Sequence, residues 1–336
     1  MNKKYFKLFA NCKLVEGYTR SVVVDTQRNE IFHVSNSLIP ILASLNDSPI
    51  ADVKKTYASE DIQEYLDFLT ENELGFYTDT PSLFTDIDTK WDSPDLITNA
   101  IIDYNKNSNY NFKHVINTLD TVHCTTIQIR FFDSISWTFL LDILDLIQGK
   151  RINSVELLLK YNPKISFEDY RYLAQNYLRI KGMVIHGSPK DVVTSLASSR
   201  NKEKFMYTDQ VITDQTHCGI ISTSLFAPTL LHHNESLYFN SCLHRKIGVD
   251  ANGNIKNCPT LEDSYGNIEE VTSLKEIVEQ ASFQELWGVT KSQIDECKVC
   301  EYRTVCSDCR AHLTKDEIKT TKPKKCNYNP YEAKWF

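Results

Sequence analysis

Long apolar runs are missing from this sequence. No stretch approaches the roughly 20 consecutive apolar residues that a membrane-spanning helix needs. The most apolar helix candidate, 137–147, is broken by Asp142 and Asp145. Residues 1–12 are basic, but Lys7 interrupts the apolar core that a secretory signal requires, so a cytoplasmic protein in a reducing compartment is expected. Gly and Pro number only 10 each in 336 residues, which excludes fibrous and linker-built classes. Positive charge is in deficit: 37 Lys and Arg face 44 Asp and Glu, a net charge of −7 that argues against nucleic acid or a membrane surface as partner. No G-x4-G-K-[ST] loop, G-x-G-x2-G fingerprint or H-E-x2-H pair occurs, so nucleotide, dinucleotide and zinc-protease chemistry have no support. Cysteine, too, is scarce at first. Only Cys12 and Cys124 precede residue 200, and both fit apolar strands or their ends.

Apolar residues are plentiful overall. At 41% they can supply a packed core along the whole chain, whose length suggests two or three domains. Residues 1–80 read as a small α+β unit. The β-prone runs 5–10, 20–26 and 30–34 are followed by an apolar helix capped by Ser37. A second helix, capped by Ser59, carries Ile62, Tyr65, Leu66 and Leu69 at helical spacing. Asn29 falls where a tight hairpin would turn, and 76–77 begin a closing strand. This order suggests a winged-helix shape. A linker rich in Asp, Thr, Ser and Pro follows, over 79–94. From 95 to 212 strands and helices alternate, which argues for a parallel sheet covered by helices. About five such units are too few for a full eight-unit barrel, so a partial or open (β/α) barrel is expected. The whole is thus of α/β class. From 213 to 336 the alternation stops and cysteines take over.

The eight later cysteines are Cys218, Cys242, Cys258, Cys297, Cys300, Cys306, Cys309 and Cys326. Eight thiols make two sets of four, and in a reducing compartment they point to metal or cluster ligation rather than disulfides. Cys242 and Cys258 bracket Asp250-Ala-Asn-Gly253-Asn, a hairpin signal, as C-x10-G-x4-C. Two C-x2-C knuckles, Cys297/Cys300 and Cys306/Cys309, stand five residues apart. Thiolate sites suit zinc and iron–sulfur alike, so spacing leaves both metals open. Cys218 is either a ligand or a small buried apolar residue in a strand. His232, His233 and His244 receive no role, and the lysines at 315, 319, 322, 324 and 325 read as a solvated loop.

This cysteine pattern resembles the seven-cysteine SPASM domain that accompanies radical SAM peptide-maturing enzymes, although the last knuckle has x2 where the family usually has x3. Phe6-Lys-Leu-Phe-Ala-Asn-Cys12, Asp25-Thr-Gln-Arg28-Asn-Glu30 and His217-Cys218-Gly219 resemble the SPASM-domain maturases of grasp-with-spasm systems. Residues 1–80 are similar to leader-peptide recognition elements. The resemblance implies two auxiliary [4Fe-4S] clusters, zinc being the alternative. One would be held by Cys242, Cys258, Cys309 and Cys218, the other by Cys297, Cys300, Cys306 and Cys326. It also implies a ribosomally made precursor peptide and an ATP-grasp ligase as partners. The precursor's leader would add as a strand beside Glu30, Ile31, Phe32, His33 and Val34, with Ile62, Tyr65 and Leu69 on the groove wall. The C-x3-C-x2-C triad of radical SAM chemistry is missing where it would stand, over 103–111, which leaves no catalytic residue to assign. A non-catalytic maturation partner is therefore expected. The alternatives are a radical-type or redox enzyme using an open cluster site and a zinc-stabilised interaction protein.

Overall fold

The computed structural model describes residues 4–195, 204–315 and 318–336. These fall into two compact units, each assembled from separated stretches of chain. The boundaries differ from those expected, because residues 213–336 are divided between the units rather than forming one domain. The strand that follows Cys242 is taken up by the parallel sheet.

The first unit comprises Met1–Asp92, Ile220–Ser241 and Gly288–Phe336. Its strands β1 (Tyr5–Leu8), β2 (Cys12–Val15), β3 (Ser21–Asp25) and β4 (Glu30–Val34) lead into helices α1 (Leu38–Asp47), α2 (Ile50–Thr56) and α3 (Ile62–Glu71), then β5 (Gly75–Thr78). Strands β2, β3 and β4 form an antiparallel sheet in that order, and β1 pairs with β5. Asn29 adopts φ 61° at the β3–β4 turn, the left-handed conformation that asparagine tolerates. Three expectations need correction. The region holds three helices, since α2 separates the two anticipated, and Asp61 rather than Ser59 caps α3 by accepting from the Glu64 N–H at 3.0 Å. Ser37 makes no cap; its hydroxyl bonds the Tyr65 hydroxyl at 2.6 Å instead.

All five residues of β3 are buried, an uncommon state for an antiparallel strand. The cause is coverage on both faces. Val23, with Phe32 and Val34, packs on the helices through Leu38, Ile41, Leu45, Leu66 and Leu69. Val22 and Val24, with Val15 and Ile31, pack on Tyr302, Val305 and Tyr328 near the chain's other end. Gly17 permits the closest approach, because a Cβ there would lie 2.8 Å from the Cβ of Glu301 and 2.2 Å from the Arg20 carbonyl oxygen.

The second unit comprises Ser93–Gly219 and Cys242–Trp287. It runs β6 (Asn99–Tyr104), α4 (Phe112–Thr121), β7 (Thr126–Phe131), α5 (Trp137–Ile147), β8 (Ser154–Lys160), α6 (Phe167–Asn176), β9 (Ile180–His186), β10 (Val192–Ser195), β11 (Lys204–Tyr207), β12 (Lys246–Val249) and β13 (Ile255–Lys256). These strands form one eight-stranded sheet, ordered β10-β11-β9-β8-β7-β6-β12-β13. Pairing is parallel from β11 to β12 and antiparallel at both ends, so the sheet is open and mostly parallel. Ile127, Ile129 and Phe131 enter the core as their alternation requires, joined by Val115, Ile143 and Leu173 from the three helices. Ser166 caps α6 in a reciprocal box with Asp169, as its position before the helix suggests.

Candidate metal centres and peptide edge

In the first unit the Cys-rich segment folds as a series of tight turns. The Cys300 N–H reaches the Cys297 carbonyl at 3.0 Å, the Cys306 N–H reaches that of Tyr302 at 3.0 Å, and the Cys326 N–H reaches that of Pro323 at 3.0 Å. These turns bring Cys297, Cys300, Cys306 and Cys326 to the wall of one small cavity of about 30 Å³, shared with Tyr302, Tyr328 and Lys291. Burial pushes the Cys297 and Cys306 thiols up to about 12 and the Cys300 thiol well above its ordinary range; neighbouring cysteines push each of them further. Lys291 acts in the opposite direction on Cys297 and Cys306. Its side chain belongs to a residue only 5% exposed. Cys309 is buried in the same unit, 8% exposed.

In the second unit Cys242 and Cys218 both act electrostatically on Cys258. Burial and then Cys242 raise the Cys258 thiol to about 11, with Cys218 adding a smaller contribution. The Lys246 amine lies 3.7 Å from the Cys242 sulfur, and Arg130 also senses Cys218 and Cys258. Cys218 is exposed, at the end of a short 3₁₀ turn and followed by Gly219 at φ 84°, so the expectation of a strand there is corrected. Gly248 in β12 lets the chain at Cys258 come close, since a Cβ would lie 2.5 Å from the Pro259 ring. Cys12 and Cys124 are core residues, as expected.

Among the described residues no three His, Cys, Asp or Glu side chains converge tightly enough to hold a single metal ion. The donor chemistry nevertheless fits a thiolate-held group. Four thiols in the first unit border one cavity, in the second Cys242 and Cys218 both act on the buried Cys258, and each set has a lysine beside it.

The loop that follows β6 is packed with the chain's own side chains. Asp103, at the end of β6, accepts from Arg130 at 2.5 and 2.8 Å, and both residues are buried. The Tyr110 hydroxyl donates to the Asp103 carbonyl at 2.5 Å, and the Asn111 side chain caps α4. Tyr104, Tyr110, Phe112, Phe131 and Phe139 pack ring against ring around that loop.

Among the described residues strand β4 is the last strand of its sheet, so one of its backbone edges carries no ladder there. Glu30 and His33 are exposed, Ile31 and Phe32 half-buried, and Val34 buried. His33 Nε2 lies 2.6 Å from the Tyr302 hydroxyl, which also accepts from Arg20 at 2.9 Å. Arg20 Nε meets Glu301 Oε1 at 2.9 Å, and Glu301 further accepts from Tyr328 at 2.5 Å. The open edge and the four-cysteine cavity thus share Tyr302. The groove wall differs from expectation. Ile62 and Leu69 are enclosed in the core, because their helical stripe faces the sheet, and of the three only Tyr65 is half-buried. Sequence reasoning assigned nothing to Arg20, Lys246, Lys291, Glu301, Tyr302 or Tyr328. Glu301 and Tyr302 stand between two cysteines, but spacing carries no sign of what they bond.

No protein-family model matches the chain, and no curated protein matches it in sequence. Among solved structures it is similar to SuiB of Streptococcus suis. With SuiB bound to S-adenosylmethionine the identity is 10% and the TM-score 0.37, covering 95% of this chain and 99% of that one. Another SuiB crystal structure gives 9% and 0.35, and SuiB bound to precursor peptide SuiA gives 10% and 0.30, with the same coverage. Likeness at this level is too slight to carry function. Among the described residues no helix is long and apolar enough to cross a membrane.

Proposed function

We propose that this chain is an accessory maturation protein of the cytoplasm that binds a ribosomally made precursor peptide and presents it to an ATP-grasp ligase. The leader adds as a strand to the free edge of β4, where backbone groups give affinity and alternate side chains give register. Thiolate sets hold two [4Fe-4S] clusters, with Cys297, Cys300, Cys306 and Cys326 forming one and Cys218, Cys242 and Cys258 contributing to the other. Such clusters would supply electron transfer or cross-linking of a loop-rich segment. The observation that carries this reading is the cavity walled by four cysteines, packed against the sheet whose edge is open. Four sulfurs on one zinc would lie within about 4 Å of one another, given a metal–sulfur distance of about 2.3 Å. Sulfurs arranged around a cavity suit the wider multi-iron group better. The filled loop after β6 supports a partner without radical chemistry of its own.

Anaerobic purification tests the metal. Brown protein with iron, sulfide and absorbance near roughly 400 nm is expected. Colourless protein carrying stoichiometric zinc would replace this reading with a zinc-stabilised interaction protein. Titration with the precursor encoded beside the gene tests the partner, and a proline in the middle of the leader's strand segment should abolish binding.

A further inference from the structure

A cation beside a group of buried thiols favours whatever negative charge that group takes on. Lys291 is in that position. It follows Thr290, opens the short 3₁₀ turn Lys291–Gln293, and is 5% exposed on the wall of the four-cysteine cavity. Among the described residues no carboxylate or other acceptor is bonded to its amine. Neighbouring charges are already satisfied. Asp308, buried near the same thiols, is bonded to Arg310 at 2.6 Å and to Asn240 at 2.9 Å. The cavity's Arg303 is tied to the carbonyls of Glu16 and Cys300. Lys291 stands on the wall of the four-cysteine cavity, acting on the Cys297 and Cys306 thiols and on the neighbouring His232. Four thiolates around a divalent metal or a doubly charged iron–sulfur core sum to a net negative group, so the missing counter-ion of Lys291 is the loaded centre itself.

We infer that Lys291 is the built-in counter-charge of the four-cysteine centre, a positioning residue whose partner is an anionic metal–thiolate group. The second thiol set repeats the device, with the Lys246 amine 3.7 Å from the Cys242 sulfur. The inference rests on the metal-holding reading of the cavity.

The effect emerges on loading. Without metal, no anionic centre faces Lys291, and Lys291→Met should leave the apo protein about as stable as wild type. With metal, the same substitution removes the counter-charge, and the centre should release its metal about 10- to 100-fold faster to a chelator, the usual cost of losing an outer-shell partner. Lys291→Arg keeps the charge and should hold metal as wild type does. The experiment uses the full chain, stripped by chelator and then reconstituted with ferrous iron and sulfide or with zinc alone. Apo melting temperature, chelator-driven release and, for iron, the midpoint potential are read. The potential should fall in Lys291→Met, since a nearby positive charge favours the reduced centre. Wild-type protein that takes up neither iron nor zinc would overturn the metal reading itself. Metal uptake with release and potential unchanged in Lys291→Met would overturn the role of Lys291 alone. Equal destabilisation of apo and loaded protein would also overturn it, by marking the residue as ordinary packing.

Discussion

The two units each enclose an arginine–carboxylate pair and a set of thiols beside a lysine, but they frame them differently. In the second unit the Asp103–Arg130 pair is sealed, with side chains 0% and 7% exposed, and it lies inside a parallel sheet with its own helices and core. In the first, Arg20 is a third exposed while Glu301 is enclosed, and the pair stitches the N-terminal sheet to a loop nearly three hundred residues later. One unit therefore uses a buried ion pair within regular structure. The other uses a half-exposed pair to join segments that could not cover each other by secondary structure alone. Paired charges in the second unit fix a loop next to a strand. In the first they fix the position of Tyr302, and with it both the open edge of β4 and the cavity of the cysteines.

The largest effect should come from cutting the first unit at its sequence boundary. A fragment of residues 1–80 leaves Val15, Val22, Val24 and Ile31 without their cover. Each buried valine or isoleucine contributes about 1.5–3 kcal/mol, so the loss rivals the entire stability of a small domain. Such a fragment should lack dispersed amide resonances in an NMR spectrum; a well-dispersed spectrum would show the sheet to be self-sufficient. An analogous weakness is not expected of the parallel sheet's core.

Next comes the contrast of the two pairs. Arg130→Met strands the Asp103 carboxylate in the interior and should cost about 3–5 kcal/mol. Arg20→Met leaves Glu301 its bond from Tyr328 and should cost about 1–3 kcal/mol. Urea titration of both variants checks the order, and equal losses would mean that burial does not separate the pairs.

At neutral pH the smallest expected effect belongs to a buried histidine of the metal-free first unit, whose influence grows only on acidification. His233 is 5% exposed, its Nδ1 has no partner, and burial, then Lys13, lower its imidazole to about 4. An imidazole lowered on folding keeps the native state neutral while the unfolded chain takes up a proton, so stability is full above about pH 6.5 and falls toward pH 4. A loss of about 3 kcal/mol across that window follows from about 1.4 kcal/mol per pH unit. His233→Leu should flatten the dependence, as measured by denaturant midpoints of apo protein at pH 6.5 and 4.5. His186 in the second unit is also lowered by burial, but both of its ring nitrogens are engaged, by Phe131 and Ile212. His232, next to His233 in the first unit, is likewise lowered to about 4 by burial, so a slope that survives in His233→Leu but disappears in the double variant with His232→Leu would assign the remainder to His232.

What was legible in the sequence follows from how local each signal is. The alternation Ile127, Ile129, Phe131, the Ser166 cap, the turn at Asn29 and the Gly253 hairpin, with φ 82°, depend on neighbours a few residues away, and all appear in the structure. Spacing left the grouping of the cysteines open; the set of Cys297, Cys300, Cys306 and Cys326 was implied only by the resemblance to SPASM domains, and these four border one cavity. Strand β2, only four residues long, was overlooked because Cys-Lys-Leu-Val is too short to show a period. The unbroken Val22-Val23-Val24 reads as a strand but not as one covered twice, since the second cover comes from Tyr302 and Tyr328. Lys291 and Lys246 were illegible for the same reason. A lysine in a sequence looks solvated until the fold removes its water.

The doubly covered strand β3 also has a consequence in time. Arg20 and Glu301 are 281 positions apart, so the sheet beside Arg20 is made long before the segment that closes it. At about 5–20 residues per second, a ribosome needs about 15–60 s to cover that distance. Throughout that interval one face of the Val22–Val24 strand is bare on the nascent chain. The parallel sheet can meanwhile collect β6 to β9 as they emerge. The first unit is thus begun first and finished last, and its valine face is where a chaperone has the longest opportunity to bind.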